Sequence, residues 1–115
     1  MPSKMSDNVT VQYTETAKTS VKIISEFLRS KEIDPRPIIQ KLVKEFENKV
    51  CSFPEGPPIS AELMKLGCSK YRECNTSGGY RIIYSIDNVN QISAHVIMAQ
   101  KQDIQHLLFT RLIEI

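Results

Sequence analysis

KYRECNTSGGYRIIYSIDNVNQISAHVIMA, residues 70–99, decides the fold. From Gly79 to Ile86 the chain alternates: Tyr80, Ile82, Tyr84 and Ile86 fall on one side of an extended backbone, and Arg81, Ile83 and Ser85 on the other. A second extended run, Lys70 to Cys74, precedes it, and Asn75-Thr76-Ser77-Gly78 between them is a polar tip whose Gly78-Gly79 pair permits positive φ. Asp87-Asn88-Val89-Asn90 makes the next turn. Ile92 to Ala99 then returns as a third strand, with Ile92, Ala94, Val96 and Met98 predicted on one face. These residues predict a three-stranded antiparallel meander.

Upstream, the period changes. Val9, Val11 and Tyr13 alternate with Thr10 and Gln12, which predicts a first strand over Val9–Tyr13. Thr14 is an N-cap residue, and Ala17, Val21, Ile24 and Leu28 repeat at helical spacing up to about Arg29. Pro35 and Pro37 break the chain and open a new helix, since proline tolerates the first turn, where its missing N–H costs nothing. That helix carries Ile38, Ile39, Leu42, Val43, Phe46 and Val50 on one side and Lys41, Lys44, Glu45, Glu47 and Lys49 on the other. The two helices are expected to pair as an antiparallel hairpin over one face of the sheet. Phe53-Pro54-Glu55-Gly56-Pro57-Pro58 is a linker loop, a short helical turn follows over Ser60–Lys65, and Gly67 ends it. A last helix, Asp103 to Leu112, places Ile104, Leu107, Leu108 and Leu112 together. Helices and strands are segregated, so the expected class is α+β, an antiparallel sheet in the order β-α-α-β-β-β-α.

A chain of 115 residues supports one hydrophobic core, so one domain is expected over residues 9–115, with residues 1–8 as a tail. The formal net charge of +2, from 15 Lys and Arg against 13 Asp and Glu, is too small to indicate nucleic acid, so any cationic site must be a local cluster. No apolar run approaches the roughly 20 residues that span a bilayer, and the first residues lack an apolar signal region; the cytoplasm is the expected compartment. Cys51, Cys68 and Cys74 are odd in number and form no Cys-x-x-Cys, which predicts reduced thiols. Cys68, Cys74, His95 and His106 match no usual zinc spacing, so neither a metal nor another cofactor is expected.

Five stretches, in this order, resemble the RelE and ParE superfamily of type II toxins. They are Tyr13-Thr14-Glu15-Thr16-Ala17, Phe53-Pro54-Glu55-Gly56, Lys70-Tyr71-Arg72-Glu73, Gly79-Tyr80-Arg81-Ile82-Ile83-Tyr84 and Gln100-Lys101-Gln102-Asp103-Ile104. The resemblance spans nearly the whole chain from Val9 onward. It implies a small toxin that arrests growth and is silenced by a cognate antitoxin, with operator DNA touched only through that antitoxin.

One branch of the superfamily cleaves messenger RNA on the ribosome; the other poisons DNA gyrase. Arg72 and Arg81 fall where the nuclease branch has two of its basic residues. Cys74 replaces another, Gln102 stands where a later arginine would lie, and Leu108 or Phe109 where its tyrosine would lie. Cleavage by the RNA's own 2′-hydroxyl needs a base, an acid and fixed positive charge, and an arginine supplies charge only. The resemblance therefore leans to the ParE branch, acting on gyrase through protein contacts. The alternatives are a ribosome-dependent endonuclease using Arg72, Arg81 and His95, and an inactive homologue that serves as an interaction partner or co-repressor.

The bland readings stand beside these. Arg81 fits equally a cation on an open sheet face and a structural partner of Glu73 or Asp103; Arg72 reads as a solvated strand residue. His95 reads as a hydrogen-bonded structural histidine sharing its face with Ser93 and Ile97, and Tyr71, Tyr80 and Tyr84 as core tyrosines with wet hydroxyls. The end of the chain holds more apolar residues than one buried face needs, so Lys101, Gln102, Leu108, Phe109, Arg111 and Leu112 are the expected partner-binding residues, with core cover as the equal alternative.

Overall fold

The computed structural model describes residues 9–100; the tail read over residues 1–8 and the helix read over Asp103–Leu112 lie outside the described residues. The elements in order are β1 (Thr10–Tyr13), α1 (Glu15–Ser30), α2 (Pro35–Ser52), α3 (Ala61–Lys65), β2 (Tyr71–Asn75), β3 (Tyr80–Asn88) and β4 (Gln91–Ala99). Local chemistry sets their limits. The Thr14 hydroxyl accepts from the Ala17 N–H, Asp34 accepts from the Arg36 N–H just where Pro35 opens α2, and Ser60 accepts from the Leu63 N–H. Gly67, with φ of 87°, lets the chain leave α3 in a left-handed conformation.

The strands form one sheet in the order β1-β4-β3-β2. β2, β3 and β4 make the predicted antiparallel meander, but β1 runs parallel to β4, so the sheet is mixed rather than antiparallel. Alternation in a single strand is the same beside either kind of neighbour, and no hairpin ties β1 to β4 and fixes its direction. The loop before α3 covers the opposite edge: the Ser60 N–H donates to the Tyr71 carbonyl at 2.8 Å and the Glu73 N–H to the Pro58 carbonyl at 2.9 Å.

Both long helices cover one face, as the sequence predicts. Leu42, Phe46 and Val50 of α2 pack on Cys74, Ile82, Tyr84, Ile92, Ala94 and Ile97, with Val21 and Ile24 of α1 alongside. Tyr13 donates a short hydrogen bond to the Glu47 carboxylate, tying β1 to α2; burial first, and then this carboxylate, push the Tyr13 hydroxyl well above its ordinary pKa. On the other face, Leu63 of α3 packs with Ile83, Val96, Met98 and Tyr71.

β4 departs from the predicted pattern at one residue. Ile83 faces Val96 but Tyr84 faces Ala94, so His95 is an extra residue in β4 and bulges from the ladder. Ile92 and Ala94 keep the helix-covered face, Ile97 joins them, and Val96 and Met98 turn to the other. The prediction that Ile92, Ala94, Val96 and Met98 share a face is thereby corrected. So is the grouping of His95 with Ile97. Because positions 96, 97 and 98 are all apolar, the pattern buries about as much in either register and does not mark the bulge.

β1 stops at Tyr13, and α1 satisfies the edge of β4 beyond it. The Ser20 hydroxyl accepts from the Ile97 N–H at 3.0 Å and donates to the Ala17 carbonyl at 2.7 Å. Ser20→Ala leaves a buried strand N–H without a partner, which is expected to cost about 1–3 kcal/mol. Urea denaturation measures this directly; a loss under about 0.5 kcal/mol would mean that another group replaces the hydroxyl.

Candidate functional site

The sheet face away from the long helices carries a concave, mostly apolar region with a few polar side chains in its lining. A cavity of about 400 Å³ opens there. The start of α1 contributes Thr14 and Thr16, the segment around α3 contributes Leu63, Cys68 and Tyr71, and the strands contribute Ile83, His95 and Val96.

His95 is the most connected of them. The bulge turns its ring onto this face, where Nε2 lies 2.8 Å from the Ser85 hydroxyl and the ring meets Tyr71 edge-on, with centroids 5.1 Å apart. Ser85 donates to Asp87 at 3.0 Å, and Ser93 donates to the other oxygen of the same carboxylate at 2.5 Å. A carboxylate only accepts, so the one Ser85 proton points to Asp87 and Nε2–H points to Ser85. Burial holds the imidazole below its ordinary pKa; Asp87 opposes that shift and Lys70 adds to it. Serine, histidine and aspartate are thus adjacent but in the wrong order for nucleophilic catalysis. The carboxylate binds the serine instead of orienting the imidazole, and Ser85 is 2% exposed.

Arg81 lies on the same face, four positions before Ser85 along β3. Its guanidinium donates to Glu62 of α3 at 2.7 Å and to Glu73 of β2 at 3.3 Å, with the side chain only 8% exposed. Arg72 is on the opposite, helix-covered face, paired in register with Tyr84. There it donates to the Pro57 carbonyl at 2.6 Å and the Glu55 carbonyl at 3.1 Å, while the Tyr84 hydroxyl donates to the Pro54 carbonyl at 2.5 Å. The loop after α2 is therefore held by two side chains that rise from the sheet.

Of the sequence-predicted nuclease set, the structure brings Arg81 and His95 onto one face and puts Arg72 on the other. The cysteines divide likewise: Cys68 lines the cavity and Cys74 is buried in the helix-side core. His106 lies outside the described residues, as do the expected partner-binding residues Lys101, Gln102, Leu108, Phe109, Arg111 and Leu112. Asp87, Ser85 and Glu62 escaped sequence reasoning. Asp87 reads as a turn former, and only the Ser85–Ser93 register reveals that it faces two hydroxyls. Set against known protein families and against curated proteins, the chain matches none.

Proposed function

We propose that this chain is the toxin of a type II toxin–antitoxin pair on a RelE/ParE-like fold, acting in the cytoplasm on DNA gyrase through protein contacts and neutralised by a cognate antitoxin. The order of two long helices between a first strand and a three-stranded meander, all in one sheet, supports the scaffold. One observation favours contact over cleavage: the two arginines a nuclease would aim at a phosphate are on opposite faces, and each is already engaged. Arg72 satisfies loop carbonyls, and Arg81 is neutralised between two carboxylates. Converging cations, which stabilise a phosphorane-like transition state, are not assembled among the described residues.

Purified protein added to a gyrase supercoiling reaction is expected to inhibit it, while added to translating ribosomes it leaves the message intact. Expression alone arrests growth, and co-expression of the antitoxin restores it. Cut message with unaffected gyrase transfers the protein to the nuclease branch. Neither activity, together with normal growth, reduces it to an interaction protein.

A further inference from the structure

His95 joins four elements at once. Its backbone is the bulge of β4, its carbonyl accepts from the Thr14 hydroxyl at the start of α1 at 3.3 Å, its ring is bonded to Ser85 of β3, and it packs on Tyr71 of β2. In the neutral ring the single N–H is used on Ser85, and Nδ1 has no hydrogen-bond partner among the described residues. We propose that His95 is an acid-sensitive latch: a second ring proton releases the junction of β4 with α1 and loosens the cavity wall beside it.

The surroundings of the ring oppose that proton. The cavity lining beside the ring is mostly apolar, with Leu63, Ile83 and Val96, and Tyr71 meets the ring edge-on. Just before β2, Lys70 sits over the Tyr71 ring at 5.3 Å, so protonation brings a second positive charge to the same aromatic ring. The loop after α3 contributes the thiol of Cys68, and α1 contributes the uncharged Thr14 and Thr16. Among the described residues, the anion that acts on the ring is Asp87 of β3, already satisfied by Ser85 and Ser93 and separated from the imidazole by the Ser85 hydroxyl. Positive charge on this half-buried ring, between apolar walls, is relieved by turning the ring further toward solvent. That movement pulls on the bulge and on the Thr14 contact.

The sign follows from linkage. Below the ordinary histidine value of 6.5 the unfolded chain takes the proton more readily than the folded one, so stability falls as pH drops from 6.5 through the lower folded-state value. NMR titration of the histidine rings in the full chain, with His95 assigned by its absence in His95→Gln, is expected to give a midpoint below 6.5. Hydrogen exchange at the Ile97 and Thr14 amides, corrected for intrinsic rates, is expected to accelerate severalfold between about pH 7.5 and pH 5.5 in the natural chain and to stay flat in His95→Gln. Lys70→Gln should raise the midpoint and Asp87→Asn lower it, which keeps the test open even where His95→Gln folds poorly. A midpoint at or above 6.5, or exchange at Ile97 and Thr14 that ignores His95, overturns the latch.

Discussion

Arg81→Met is expected to remove about 3–5 kcal/mol of stability, toward the lower end of that range, without first touching any chemistry. The guanidinium is nearly buried, while Glu73 and Glu62 are 19% and 36% exposed, so loss of the arginine strands two carboxylates in a partly dry region. Glu62, the wetter of the two, can turn to water and limit the loss. The second substitution in Arg81→Met/Glu73→Gln removes one of the stranded charges and should restore about 1–3 kcal/mol, a coupling that chemical denaturation of the four chains measures. This cycle separates two meanings of the same residue. If Arg81 serves as a transition-state cation, its replacement abolishes message cleavage and Glu73→Gln restores none of it. If it serves as the bolt between α3 and β2, stability falls and returns in part, and a gyrase-directed contact follows the folded fraction alone.

Much of this architecture was legible because the two periods, 2.0 and 3.6, are cleanly separated along the chain. Ala17, Val21, Ile24 and Leu28 could serve only a helix, and Tyr80, Ile82, Tyr84 and Ile86 only a strand with one covered face. What stayed hidden was relational. The direction of β1 depends on a neighbour some 80 residues away, and a pattern of alternation carries no sign for parallel or antiparallel pairing. The His95 bulge was masked by Val96, Ile97 and Met98, which satisfy either face. The cavity reflects both, since it lies where β1 has ended and the bulge has turned the His95 ring onto the sheet face away from the long helices. Arg72 was read as a solvated strand residue and instead anchors a loop, because the proline-rich turn at residues 54–58 exposes carbonyls that no helix or sheet satisfies and an arginine fork can. Arg81 fared better. The sequence offered Glu73 as a partner, and only the return of α3 across the sheet added Glu62.

Phe46→Ala is expected to cost about 3–5 kcal/mol, a large share of the roughly 5–15 kcal/mol by which a domain is stable. The ring is 0% exposed and meets Tyr84 edge-on, centroids 5.6 Å apart at 70°. Removing it opens a cavity at the centre of the helix-side core and forfeits an aromatic contact worth about 0.5–1.5 kcal/mol. The damage should also travel. Tyr84 carries at its far end the hydrogen bond to the Pro54 carbonyl, and Arg72, its cross-strand neighbour, holds the next two accessible carbonyls of the same loop. A Tyr84 ring free to tilt into the vacated space drags its hydroxyl from that carbonyl. Amide exchange in residues 53–60 is then expected to rise in Phe46→Ala beyond what the global loss of stability accounts for, while Phe46→Leu, which keeps most of the volume, costs under about 1.5 kcal/mol and leaves loop protection near that of the natural chain. Were the loop equally protected in both variants at matched stability, the loop would be held by Arg72 and its own prolines, and the Tyr84 ring would be packing alone.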